Sequence, residues 1–250
     1  MDKCAFCPSL ATLTREHVWS DWINEILPDR EYSYRRVDPN TSETKTWHSL
    51  KLNQTSRVVC GQCNSGWMSD IENVLAKPIL RHLIVDTSPR ELGIKTLISL
   101  AIFAFKTAVV ADHVSPVDGP FFSTDQRYTF AKTLDVPDGV YMWFSALKNQ
   151  RNGAFRSRHS KTQNRTGNDF HIYSFTYIVG HFVLQVAAVK WKGSDLGRPF
   201  PVVVQDPSNS AFSIPFWPID NDTALFWPPS AYLDEDCIDA FTDRWGSLIF

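Results

Sequence analysis

The chain has 250 residues and a formal net charge of −2, so no overall basic field predicts binding to nucleic acid. Its 43% hydrophobic and 21% charged residues are typical of a soluble globular protein and exclude a disordered chain. The longest apolar run, residues 96–110, contains Lys106 and is shorter than a membrane span, and no apolar leader precedes the first cysteine. We therefore expect a cytoplasmic protein without a membrane partner.

Two Cys-x-x-Cys pairs, Cys4 with Cys7 and Cys60 with Cys63, are the main motif of the N-terminal third. Two thiolates separated by two residues can reach one ion from a tight turn, and two such pairs complete the tetrahedral site of structural zinc. Two disulfides or a redox motif are the alternatives. A reducing compartment argues against disulfides, and a thioredoxin-like motif needs a single pair. The spacing therefore predicts structural zinc as a cofactor.

The segment between the two pairs, positions 8–59, is longer than in a compact zinc ribbon and must hold a structured insertion. Its pattern predicts a strand over residues 12–20, a short helix over 21–27 and a β-hairpin over 32–37 and 44–52. A helix begins at Ser65 with one apolar face and ends near Pro78. Turn, hairpin and helix around one zinc site predict a treble clef.

The remaining sequence predicts a larger α+β region. Residues 91–111 form a helix that is apolar nearly all round, and residues 124–134 form a second helix behind a Ser123 cap. Residues 140–148, 154–159, 170–178 and 181–190 predict an antiparallel meander. A last helix over residues 233–245 carries Cys237, which we expect to be a buried free thiol. The fold class is thus α+β, with a zinc module over residues 1–82 and a substrate- or partner-binding region over 83–250.

Three polar residues near the cysteines have the chemistry of a catalytic site. Glu16 and His17 adjoin the first pair, and Asn64 directly follows the second. A carboxylate and an amide oxygen suit Mg or Mn, and a neutral imidazole can take a proton from water. Simpler roles remain open: His17 as a hydrogen-bonded strand histidine, Glu16 as a surface carboxylate and Asn64 as a helix cap. Glu72 is interpreted as a charge on the helix face, with a position near the site as the alternative.

The pattern Cys4-x-x-Cys7, Glu16-His17, Cys60-x-x-Cys63-Asn64 resembles the HNH endonucleases, which are ββα-metal nucleases built on a treble clef. The resemblance implies that His17 is the general base and that Glu16 and Asn64 hold a catalytic Mg or Mn. It also implies a phosphodiester hydrolase, as in a subgroup of bacterial and phage proteins. The family's middle asparagine has its nearest counterpart in Asn53, which fits poorly. The alternative is a non-catalytic zinc module that binds nucleic acid or protein.

A basic stretch in the C-terminal region is the candidate contact with nucleic acid, DNA more than RNA. Between positions 148 and 165 it contains no acidic residue and six basic ones: Lys148, Arg151, Arg156, Arg158, Lys161 and Arg165. Such a cluster can displace counterions from a phosphate backbone. The Asn152-Gly153 dipeptide predicts that the stretch is a loop. A charged, solvated hairpin rim is the simpler interpretation.

Overall fold

A computed structural model describes residues 2–27, 31–37, 44–114, 119–163, 169–191, 211–219 and 224–244. Within them the chain combines helices with antiparallel sheets, and four cysteines cluster near the N-terminus. The predicted mixture of α and β structure is therefore confirmed. The strands are β1 Asp2–Lys3, β2 Leu10–Ala11, β3 Leu13–His17, β4 Tyr32–Val37, β5 Thr44–Ser49, β6 Thr55–Cys60, β7 Arg90–Leu92, β8 Val140–Gln163, β9 Asp169–Trp191, β10 Ser213–Trp217 and β11 Leu225–Trp227.

The N-terminal part is built on the pairing of β3 with β6. The register runs from Leu13 opposite Cys60 to His17 opposite Thr55, with a bulge between Thr14 and Arg15. A short 3₁₀ helix, Asp21–Glu25, follows β3 where a helix was predicted. The predicted hairpin is also present, because β4 and β5 pair antiparallel across their full length. The sequence pattern therefore located these local elements correctly.

One nearly continuous helical run carries the second cysteine pair away from β6. It consists of α1 Gly61–Cys63, π-helical segments Asn64–Met68 and Ile71–Ala76, and α2 Lys77–Val85. The predicted end at Pro78 is wrong. Pro78 lies in the first turn of α2, directly after the π-helical segment Ile71–Ala76, and the helical run passes through it without ending. The run therefore continues to Val85.

Helix α3, Ile94–Asp112, is the central helix, and 14 of its residues are buried. By length and composition this helix could span a membrane, which corrects the expectation drawn from its shorter apolar run. In the structure 72% of its most apolar window is buried inside the protein. The helix is apolar nearly all round because it is packed on several sides.

Helix α4, Thr124–Thr133, begins at Ser123 as predicted. The Ser123 hydroxyl accepts from the Gln126 backbone N–H, and the Gln126 side chain accepts in return from the Ser123 N–H. Arg127 from this helix donates to the carbonyl of Ala5, inside the first Cys-x-x-Cys turn. The C-terminal region thus holds the first cysteine turn by a direct hydrogen bond.

The C-terminal sheet has three antiparallel strands in the order β10-β8-β9. The predicted meander of four short strands is wrong, because β8 and β9 are single strands of 24 and 23 residues. Irregularities between Ala146 and Ala154 interrupt their pairing without ending it. Gly153, which suggested a loop, instead allows close packing, and so does Gly180. A Cβ on Gly153 would lie 2.6 Å from Leu52 Cδ1, and one on Gly180 would lie 2.1 Å from the carbonyl oxygen of Ile84.

The C-terminal helix begins later than predicted. A 3₁₀ turn, Glu235–Cys237, precedes α5, Ile238–Asp243, and the predicted end at 245 lies outside the described residues. Cys237 is exposed, so the expected buried thiol is wrong. It occupies the polar first turn of the segment, whereas Ile238 and Phe241 supply the buried contacts.

One hydrophobic core joins the two predicted regions. It includes Phe6 from the first cysteine turn, Leu83 from α2, Phe103 from α3 and Phe175 from β9. Phe6 also makes edge contacts with Trp67, which is half-buried as a core residue would be. The division after residue 82 remains a prediction about folding units.

Candidate functional site

The four cysteines Cys4, Cys7, Cys60 and Cys63 form one cluster. Their Sγ atoms all lie within 4.8 Å of one another, and Cys7 Sγ is 3.7 Å from Cys60 Sγ. Four thiolates bound tetrahedrally at a Zn–S distance of about 2.3 Å are separated by about 3.8 Å, so this spacing is compatible with zinc. All four cysteines are free and none forms a disulfide. The donor set and the geometry both fit the predicted structural ion.

Backbone N–H groups surround the cluster as they do around thiolate ligands. Phe6 N and Cys60 N donate to Cys4 Sγ at 3.5 and 3.3 Å. Burial raises the pKa of the Cys63 thiol well above its ordinary value. Burial also acts to raise the pKa of Cys60, but hydrogen bonds from Cys63 and the other thiols lower it. A bound cation would have to displace the Cys63 proton.

A pocket of about 380 Å³ opens beside the cysteine cluster. Strand β3, α1 and the π-helical segments form its walls. Its lining contains the three predicted catalytic residues, a second glutamate, an aspartate, three hydroxyl residues, a glycine and a methionine: Thr14, Glu16, His17, Asp21, Gly61, Asn64, Ser65, Met68, Ser69 and Glu72. The structure therefore brings Glu16, His17 and Asn64 to one cavity, although they are up to 48 positions apart.

Asn64 is held in a defined orientation. Its amide nitrogen donates to Thr14 Oγ1 and to the Arg15 carbonyl oxygen, both at 2.9 Å. Asn64 lies within the helical run rather than at its start, and its side chain bonds to β3, so the simpler role as a cap is wrong. These two bonds fix the amide plane, and no bond among the described residues uses the side-chain oxygen, which can therefore accept from a ligand.

His17 lies at the end of β3, where the chain turns into the 3₁₀ helix. It lines the pocket and is half-buried. Within the described part of the chain its imidazole has no hydrogen bond, which does not support the interpretation as a hydrogen-bonded strand histidine. His48 is exposed on β5, with its ring 3.9 Å from Glu31. Asn53, the poor match to the family's middle asparagine, is absent from the pocket lining.

A buried lysine contacts the pocket from below. Lys106, in the middle of α3, places Nζ 2.8 Å from Glu16 Oε1 and 2.5 Å from Glu72 Oε1. Burial acts to lower the pKa of Lys106, but the charges and hydrogen bonds of the two glutamates raise the pKa above its ordinary value. The lysine is therefore protonated and forms an ion-paired unit with both carboxylates.

Sequence reasoning did not identify Lys106 and assigned Glu72 to a helix surface. Glu16 is also not a surface carboxylate, because its side chain is only 6% exposed. One signal for Lys106 was present in the sequence. A lysine in an otherwise apolar helix must find a counter-charge if the helix is buried. Which acid supplies that charge depends on packing between residues 90 positions apart.

The basic stretch lies mostly on β8 rather than in a loop. Arg156 and Arg158 lie on the same face of the sheet, and each has a guanidinium nitrogen 3.1 Å from a carboxylate oxygen of Asp243. Both arginines remain nearly half exposed. Lys148 and Lys161 are also exposed. The Arg151 side chain and all of Arg165 lie outside the described residues.

The comparisons give no relative from which a function could be transferred. No protein-family model, curated protein or solved structure matches this chain.

Proposed function

We propose that the protein is a metal-dependent endonuclease of the HNH type that hydrolyses phosphodiester bonds, most readily in DNA. The observation that carries the proposal is the convergence of Glu16, His17 and Asn64 on one pocket beside a four-cysteine cluster. We further propose that the strand pair, the cysteine turns and the helix after Cys63 form a ββα-metal treble clef, with zinc bound by the cysteines.

Each proposed role follows from the position of the side chain. His17 can remove a proton from water, since its imidazole lines the pocket without a competing hydrogen bond among the described residues. Asn64 presents a fixed amide oxygen, and Glu16 presents a carboxylate held by Lys106. Polar walls of this size can admit a phosphate group and a water molecule. These residues bind, orient and deprotonate in one place.

The oxygen donors of the pocket fit Mg or Mn better than zinc. Glu16 supplies a carboxylate and Asn64 an amide oxygen, and hard divalent cations prefer such ligands. When bound, such an ion neutralises the negative charge that develops on the phosphate in the transition state. The softer sulfur donors are grouped separately in the cysteine cluster, so the two metals would select different sites.

The exposed basic side chains of β8 are the proposed contact with the phosphate backbone. Lys148 and Lys161 are exposed, and the pairing of Arg156 and Arg158 with Asp243 would be exchanged for phosphate contacts. Each phosphate contact makes the decrease of log K with log salt concentration steeper by about one unit. The Lys148→Ala/Lys161→Ala double variant should therefore lower the slope of log K against log salt by about 2.

A second candidate function is supported by the ion pair itself. Lys106 already supplies a positive counter-charge to Glu16. A pocket that binds no metal needs such a counter-charge, whereas in a metal site the bound ion could supply it. The alternative is therefore a non-catalytic, zinc-stabilised module that binds nucleic acid or a protein partner.

A nicking assay separates the two functions. Supercoiled plasmid is incubated with the zinc-loaded protein, with and without Mg or Mn, alongside His17→Ala and a matched His48→Ala control. We expect relaxed plasmid only with the added ion, a loss of about 100-fold or more in His17→Ala and normal activity in His48→Ala.

Zinc content and thermal unfolding of each variant establish that the fold is retained. If the wild type cleaves neither duplex nor single-stranded nucleic acid with either ion, the catalytic proposal is wrong and the binding module stands. If cleavage survives His17→Ala, the base is a different residue.

A further inference from the structure

We propose that Glu72 is a third oxygen ligand of the divalent cation and that Lys106 is a positioning residue that holds Glu16 and Glu72 together as its ligand pair. This inference rests on the proposed function, because it completes the cation site of the same pocket. It gives a role to the two residues that sequence reasoning did not place in the site.

The geometry leaves one oxygen of each carboxylate available. Lys106 Nζ bonds to Oε1 of Glu16 and to Oε1 of Glu72. In the described ranges, Oε2 of each glutamate has no hydrogen bond, although both side chains line the pocket. Glu72 is 18% exposed, compared with 1% for Lys106, so the acid faces the cavity while the ammonium group lies behind it. Glu16, Glu72 and Asn64 therefore border one pocket.

The charges favour a further cation in that space. Two carboxylates and one ammonium ion leave one uncompensated negative charge at the floor of a partly enclosed pocket. Burying such a charge is unfavourable unless it is paired, and an oxygen-lined pocket open to solvent can acquire a divalent ion as the partner.

Lys106 is suited to positioning because it cannot easily move. It lies in the middle of α3, is flanked by Phe103 and Phe105 and is fully buried. Its hydrogen bonds fix residues from two different elements, β3 and the π-helical segment Ile71–Ala76. The central helix thereby sets the separation of two side chains that are 56 positions apart, from Glu16 to Glu72.

The first test measures Mn²⁺ binding directly. The zinc-loaded full chain is titrated with Mn²⁺, and free Mn²⁺ is followed by its electron paramagnetic resonance signal. Glu72→Gln keeps the size of the side chain and an oxygen that can accept from Lys106. We expect it to weaken Mn²⁺ binding by about 10-fold or more, since even loss of an outer partner of a metal ligand costs that much. The exposed Glu91→Gln variant should bind like the wild type.

The second test uses Lys106→Met, which replaces the ammonium ion with an apolar group of similar length. In metal-depleted buffer this variant should unfold at a lower temperature than the wild type, because two carboxylates lose their counter-ion. We expect Mn²⁺ to raise the melting temperature less in Lys106→Met than in the wild type, because the two carboxylates are no longer held together as ligands. The shift should vanish in Lys106→Met/Glu72→Gln.

The outcomes distinguish this inference from the proposed function. Mn²⁺ binding that needs Glu72, without nicking of any nucleic acid, supports the cation site and refutes the nuclease. Metal-dependent nicking with unchanged Mn²⁺ affinity in Glu72→Gln refutes the role of Glu72 and leaves the nuclease standing. A Lys106→Met protein that Mn²⁺ stabilises as much as the wild type, or more, shows that Lys106 does not organise the ligands, and it overturns the positioning role.

Discussion

Gly180 is the position where the structure predicts the largest effect of adding a single methyl group. It lies within β9 with a φ of 58°, in the left-handed region that disfavours residues with a side chain. A Cβ there would lie 2.1 Å from the Ile84 carbonyl oxygen and 2.7 Å from Ile84 Cγ2. Ile84 is a buried residue of α2. Strand and helix therefore approach so closely that only glycine fits.

The cost of Gly180→Ala has two parts. The left-handed conformation costs about 1–2 kcal/mol for a residue with a Cβ. Relieving the contact requires moving the backbone of α2 by about 1 Å, an overpacking cost of about 1–3 kcal/mol. Together they predict a loss of about 2–5 kcal/mol in the free energy of unfolding. Because a chain of this size loses about 2–4 °C per kcal/mol, the melting temperature should fall by about 4–20 °C.

Urea unfolding followed by tryptophan fluorescence measures this loss. Gly93→Ala is the matched control, since Gly93 has a φ of −71° and no atom within 4 Å of an added Cβ. We expect the control to change stability by at most about 1 kcal/mol. If Gly180→Ala is no less stable than the control, the close approach of β9 to α2 is wrong.

Three further predictions concern the metal cluster and the core. Zinc affinity should fall as the pH falls, because the raised pKa of Cys63 lets protons compete with zinc for its thiolate. A colorimetric chelator can follow the release of zinc. The Cys237→Ser variant should release zinc over the same pH range as the wild type. Asp112→Ala should destabilise the fold by about 3 kcal/mol in urea, because it removes the acceptor of a histidine at 2.8 Å and of a backbone N–H at 2.7 Å. Tyr173→Phe should cost about 1–2 kcal/mol, since its buried hydroxyl donates to a core carbonyl at 2.7 Å; a loss below 0.5 kcal/mol, on the order of experimental error, would contradict this bond.

Local sequence signals predicted local structure well. Ser123 and Gln126 form the capping box at the start of α4. In the hairpin, β4 has the predicted bounds and β5 begins at the predicted residue. The cysteine spacing also predicted a single cluster. In each case the signal and the structure that it produces involve residues close in sequence or a metal-ligand pattern with few solutions.

The predictions that failed depend on tertiary contacts. Glycine is typical of turns, yet Gly153 and Gly180 lie inside long strands. Neighbouring elements occupy the space that a side chain would need at both positions. Glu72 has the spacing of an exposed helix position, but it accepts a hydrogen bond from a lysine 34 residues later and lines the pocket. No window of sequence contains both partners of such a contact, so periodicity alone could not reveal it.

The position of Lys106 limits how the N-terminal third can be rearranged in evolution or in the laboratory. A segment ending near residue 82 would retain Glu16 and Glu72 but lose the ammonium ion that both contact. Such a fragment would need a supplied cation or a neutral residue at one of the two acids. Among related chains, replacement of Lys106 should therefore occur together with replacement of Glu16 or Glu72. Such covariation would reveal the ion-paired unit from sequences alone.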